Sequence, residues 1–207
     1  SKPARRDART RSAVRPRSFD LGDEPAYRCW RREKLRDYPA SAAALTVAIA
    51  DPGAPTAAEV AAVASLCRKA NMALYTTRPE IGKAGVLALA RRLGLARLDR
   101  PLLTAQDGVT RIEVAAAGAK SAYLPYSDRA LGWHTDGYYN MRDDAVGAFV
   151  LHCERAAARG GENAFLDPEI VYLRLRDEEP RLIEALMRPD AMTIPANVEA
   201  GKVLRPA

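Results

Sequence analysis

Histidine is scarce in this chain, with two in 207 residues. Any imidazole chemistry must therefore use His134 or His152. Cysteine is nearly as rare. Cys29, Cys67 and Cys153 are far apart and odd in number, which excludes a disulfide framework and a zinc-knuckle spacing. That usage suits a reducing compartment, and the expected location is cytoplasmic. Long apolar runs are also missing. The longest, Ala42–Ala50, is interrupted by Thr46, whereas a membrane helix needs about 20 apolar residues. The basic residues at the start are not followed by the apolar stretch of a secretory leader. There is no G-x-G-x-x-G and no Walker loop, so the glycine loops that cradle nucleotide phosphates are absent. No internal repeat is present.

The net charge of +6 is confined to one end. Residues 1–17 hold seven basic side chains and one acid, and the rest of the chain is balanced. The body therefore has no basic excess with which to neutralise phosphates, and nucleic acid is not an expected partner. Residues 1–25 read as a basic, solvated arm without apolar periodicity. Residues 26–207 read as one domain, with 48% apolar residues over the whole chain to build a core.

Within that domain, Tyr27, Trp30, Leu35 and Tyr38 mark a short helix or an extended packing segment. Thr46–Ala50 reads as a buried strand ended by Asp51-Pro52-Gly53. Thr56-Ala57-Ala58-Glu59 is a capping box, and Val60, Val63, Ala64 and Cys67 continue it as one apolar helical stripe. Met72–Tyr75 reads as a strand. A helix is expected from Pro79 through Leu93, closed by Gly94. Val109–Val114 and Val146–Cys153 read as strands, the latter an apolar run of about eight and the best strand in the chain. Asp167-Pro168 opens a helix to about Arg176, and a further helix is expected from Glu178 to Met187. Helices and strands do not alternate regularly, which points to an α+β domain rather than a doubly wound or barrel α/β fold.

The chemistry concentrates at Trp133-His134-Thr135-Asp136-Gly137. In an extended segment His–x–Asp puts an imidazole and a carboxylate on one face, about 7 Å apart along the chain. Both can then turn onto one metal ion, and a third ligand would complete a facial triad. A lone His–x–Asp is a weak signal. Its setting strengthens it, with Gly132, Gly137, Tyr138 and Tyr139 around it and Gly160-Gly161 one strand later.

Leu131–Gly137, the strand Ala148–Cys153 and Arg159-Gly160-Gly161-Glu162-Asn163-Ala164-Phe165-Leu166 together resemble the taurine dioxygenase-like (TauD/TfdA) family over roughly residues 45–190. The resemblance implies a double-stranded β-helix (jelly-roll) core with N-terminal helices. It implies an Fe(II)- and 2-oxoglutarate-dependent oxygenase that hydroxylates a small molecule with O₂ and releases succinate and CO₂. It implies that His134 and Asp136 are metal ligands and that Asn163 lies at the 2-oxoglutarate site. Trp133 is expected to pack beneath the metal. Tyr126, Arg129 and Tyr138 are the candidates to face substrate, with Tyr123 and Asn140 near them, since a guanidinium suits a carboxylate or sulfonate. Expected partners are the small molecule and O₂, with a homo-oligomer allowed and no membrane.

One departure from the family pattern stands out. The family's second metal histidine and its 2-oxoglutarate arginine lie late in the chain, after several further strands. Here only His152 remains, and it reads as a packed strand histidine. The domain is therefore expected to be C-terminally incomplete, and inactive as an isolated oxygenase. The alternative is a non-catalytic relative with a degenerate metal site that binds a ligand or partner.

Overall fold

The computed structural model describes residues 17–78, 81–95, 109–114, 124–138, 140, 145–193, 197–199 and 202–205. Helix α1 spans Glu24–Leu35 and resolves the first ambiguity in favour of a helix. Asp23 caps it by accepting from the Ala26 amide at 3.0 Å. Residues 17–23, which the sequence puts in the polar arm, pack on the body. Phe19 lies 4.7 Å from Tyr172 and 5.8 Å from Trp30 between ring centroids. Arg176 donates to the Ser18 and Asp20 carbonyls and stacks 3.9 Å over the Tyr27 ring.

Strand β1 (Thr46–Ile49) leads through helix α2 (Ala57–Ala70) to strand β2 (Leu74–Thr77), two residues later than the expected start. The strands pair in parallel, Thr46 opposite Leu74 and Ile49 opposite Thr77. The capping box forms as its spacing demands. Thr56 Oγ1 accepts from the Glu59 amide at 3.2 Å, and Glu59 Oε2 accepts from the Thr56 amide at 2.6 Å. Glu59 also accepts from the Ala50 amide at 2.9 Å, which ties the strand end to the helix start. These backbone donors, Ala50 first, hold the Glu59 carboxyl below its ordinary value. Asn71, left-handed at φ 55°, ends α2.

Helix α3 covers Gly82–Arg92, starting three residues after Pro79, which lies outside the described residues. Its end is a Schellman motif. Gly94 at φ +89° donates to the Arg91 carbonyl at 3.0 Å, and Leu95 donates to the Ala90 carbonyl at 2.9 Å. Ile49, Val63 and Leu89 form the core between sheet and helices, backed by Val47, Ala73, Tyr75 and Leu93. Burying each large apolar side chain there contributes about 1.5–3 kcal/mol.

Helices α4 (Pro168–Glu178) and α5 (Pro180–Leu186) follow the expected plan, capped by Asp167 and Glu179. A short antiparallel pair, β3 (Asn197–Glu199) with β4 (Lys202–Arg205), was not anticipated. Two stretches expected as strands stand outside the described ladders. Val109–Val114 and Val146–Cys153 belong to no ladder among the described residues. A strand exists only where a partner supplies its hydrogen bonds, whereas a helix supplies its own. Among the described residues no helix is long and apolar enough to cross a membrane.

Candidate metal centre

Leu131–Gly137 runs without helix or ladder into a turn at 136–138. Gly137 takes φ +68°, where a Cβ would lie 2.5 Å from the Val146 side chain. Glycine is therefore required twice over, for the left-handed backbone and for the approach of Val146. The Asn140 amide closes the turn onto the Gly137 carbonyl at 2.8 Å.

The turn brings His134 and Asp136 together. Nδ1 of His134 lies 2.9 Å from the Gly132 carbonyl, so that nitrogen carries the proton and donates. Nε2 is then the lone-pair nitrogen, and it stands 3.3 Å from Asp136 Oδ1. A cation between them, either a shared proton or a metal ion, would satisfy both electron-rich atoms at that distance. Two ligands about 2.1 Å from one ion and at right angles to each other sit about 3.0 Å apart, close to this separation. The pair thus fits two adjacent positions of a metal. Both side chains are roughly half exposed, which leaves the remaining positions open. Among the described residues no group of three or more His, Cys, Asp or Glu converges on one point.

His152 is engaged elsewhere. Its Nδ1 faces the Tyr75 hydroxyl at 3.0 Å, and the rings stack at 5.8 Å and 15°. Burial raises the Tyr75 phenol, consistent with a hydroxyl that keeps its proton and donates it to the imidazole. Gly160 and Gly161, at φ +69° and +80°, make the later turn, and Asn163 Nδ2 donates to the Gly161 carbonyl at 3.3 Å. Asn163 and Arg129 are exposed and make no hydrogen bond or ion pair with His134 or Asp136. Tyr138 is 52% exposed, whereas Tyr126 is buried in the short turn Leu124–Tyr126. Tyr123 lies outside the described residues. Trp133 is 72% exposed, so among the described residues nothing packs it beneath the pair.

Residues 33–202 match the Taurine catabolism dioxygenase TauD, TfdA family. The chain belongs to this family. The matched span takes in the motif around His134, the Gly160-Gly161 turn and helices α2 to α5 of this TauD/TfdA member. It is also similar to a uridine-5'-phosphate dioxygenase from Streptomyces sp, 30% identical over 106 residues. That match covers 50% of this chain and 38% of the Streptomyces protein. No solved structure matches the chain.

The sequence reading missed a polar cluster away from the motif. Lys34, Asp167, Glu169, Tyr38 and Asn71 come from three helices and the segment after α1. Burial, then a hydrogen bond to Asp167, pushes the Tyr38 phenol up to about 12. Nothing in residue spacing announces such a cluster, since its members are up to 135 residues apart.

Proposed function

We propose that this TauD/TfdA chain belongs to an Fe(II)- and 2-oxoglutarate-dependent oxygenase that hydroxylates a small molecule. The observation that carries the reading is the 3.3 Å pairing of His134 Nε2 with Asp136 Oδ1, with Nδ1 already committed to Gly132. His134 and Asp136 would hold the ion. The ion would supply the activation of O₂ that amino-acid side chains cannot. The Gly132 carbonyl fixes the imidazole's orientation and tautomer, as outer partners of metal ligands do. Asn163, on its glycine turn, is the residue for the 2-oxoglutarate site.

Arg129, five residues before His134 and exposed, suits an anionic substrate. The name of the Streptomyces protein contains a phosphate ester of that class. The fold that goes with this reading is a double-stranded β-helix. Residues 149–153 support it by alternating in burial, with Phe149 and Leu151 exposed and Val150 and His152 half-buried, the period of a strand. Cys29, Cys67 and Cys153 are free thiols, which agrees with work in a reducing compartment.

The test uses the full-length gene product under anaerobic conditions. Fe(II) with 2-oxoglutarate should produce the visible charge-transfer band of a chelated 2-oxo acid. Aerobic succinate release should then rise on adding a phosphorylated nucleoside. Absence of both the band and succinate would overturn the oxygenase reading and favour a ligand-binding relative. A band with substrate-independent succinate would overturn the anionic-substrate part alone.

A further inference from the structure

The C-terminal ends of α1 and α2 meet the N-terminal end of α4. Lys34, in the last turn of α1, donates to the Lys69 carbonyl of α2 at 2.7 Å. Lys69 donates in return to the Glu33 and Arg36 carbonyls at the end of α1. Each helix lends a lysine to the other's orphan carbonyls, where the helix dipole is negative. Lys34 Nζ also lies 2.7 Å from Asp167 Oδ2 and 2.5 Å from Glu169 Oε2.

Asp167 is the most heavily engaged side chain of this junction. Besides Lys34 it accepts from the Tyr38 hydroxyl at 2.9 Å, Asn71 Nδ2 at 2.8 Å and the Glu169 amide at 2.9 Å. The Lys34 and Asp167 side chains are 4% and 2% exposed. Burying such a pair costs about several kcal/mol of desolvation per ion, so stability alone does not account for it. What the junction supplies is one fixed place for residue 167.

The segment that ends at that place has little else to hold it. Residues 153–166 are exposed throughout. Among the described residues, 154–166 make a single hydrogen bond, the one from Asn163 to Gly161. Polar anchors stand at both ends, His152 on Tyr75 before it and Asp167 on Lys34 after it.

We propose that Lys34 and Asp167 are positioning residues. Their buried pair fixes the end of the 153–166 segment, and so sets where Asn163 stands for 2-oxoglutarate. The inference rests on the oxygenase reading for the role of Asn163, and on geometry alone for the anchor.

The experiment compares the full-length protein with its Asp167→Asn variant. Asparagine keeps a capping oxygen for the Glu169 amide but removes the charge facing Lys34. Amide hydrogen exchange at residues 169–171, whose backbone amides donate to Asp167, should speed up about tenfold while α2 stays protected. The KM for 2-oxoglutarate should rise about fivefold with kcat nearly unchanged, and Fe(II) binding without 2-oxoglutarate should not move. In an Asn163→Ala background, Asp167→Asn should no longer shift that KM, since contacting or coupled sites are non-additive. The double variant Lys34→Met with Asp167→Asn, which removes the stranded ammonium, should recover melting temperature but not KM. Where Asp167→Asn fails to fold, Glu169→Gln gives the same readouts at smaller size.

Unchanged exchange at 169–171, or strictly additive effects on KM, would overturn the proposal. A wild-type protein that binds no 2-oxoglutarate overturns the role of Asn163. Exchange still decides the anchor in that case.

Discussion

Residues 17–95 with helices α4 and α5 form one kind of region, and residues 109–166 form another. The first is built on helices, buries Ile49, Leu89 and Leu173, and locks Arg176, Lys34 and Asp167 into partners from distant chain positions. The second carries the functional motifs, yet most of its described side chains are exposed, Ile112, Val114, Trp133, Phe149 and Phe165 among them. The contrast teaches that two candidate ligands can be brought together by local chain chemistry alone. A short turn, one left-handed glycine and one carbonyl suffice to set His134 against Asp136. Packing is needed for a different task, which is to place that pair relative to everything else.

The sharpest way to break this comparison is His134→Ala in the full-length protein. Activity and Fe(II) affinity should fall by more than the roughly 100-fold that marks the loss of a ligand's hydrogen-bonding partner. Melting temperature should hold, because the side chain is 41% exposed. Calorimetric metal titration beside a thermal melt checks both. A large drop in melting temperature would show that the motif is part of the packed region after all.

The converse change is Leu89→Ala in the fully buried centre of the core. It should cost about 3 kcal/mol in urea unfolding. Fe(II) affinity per folded molecule should be unchanged. Weakened metal binding in the folded fraction would mean that the core dictates the motif's geometry.

Acid sharpens the division further. Burial would raise the Asp167 carboxyl, but hydrogen bonds from Lys34, Asn71, Tyr38 and the Glu169 amide together hold it below its ordinary 3.8. A carboxyl lowered on folding contributes stability above 3.8, and that contribution is lost as pH falls through the lower folded value. Stability of the wild type should therefore fall between about pH 4 and its acid limit, and Asp167→Asn should lose that part of the slope. Equal slopes would remove Asp167 from the packed region's acid response.

The smallest effect is expected from deleting residues 1–16. They carry most of the basic excess but no apolar periodicity. Unfolding free energy should change by less than about 0.5 kcal/mol. Extending the deletion through Phe19 should cost more, because it removes that ring from Trp30 and Tyr172 and strips Arg176 of the Ser18 carbonyl. Equal effects of the two deletions would erase the boundary drawn at residue 17.

Helices were legible in the sequence because their evidence is local. Thr56 with Glu59, Asp167 with Pro168, and Gly94 each satisfy or end a helix through groups within a few residues. The start of α3 was misjudged because Pro79 is an equally good opening signal three residues early. Strands were less legible. Thr46–Ile49 and Leu74–Thr77 pair with each other, while the equally apolar Val146–Cys153 has no ladder among the described residues. Apolar patterning states that a segment can be a strand, and only a partner makes it one.

By itself the sequence determined the family, the His134–Asp136 pair and the glycines that shape both turns. These depend on residues adjacent along the chain, where spacing and backbone preference decide geometry. Tertiary structure alone decided that His152 pairs with Tyr75. It alone buried Lys34 against Asp167 and folded residues 17–23 onto Arg176. Such contacts join side chains about 80 to 160 positions apart, and the entropy of closing loops that long grows too slowly with length for spacing to select one partner over another. Burial and hydrogen bonding make that choice, and they exist only in three dimensions.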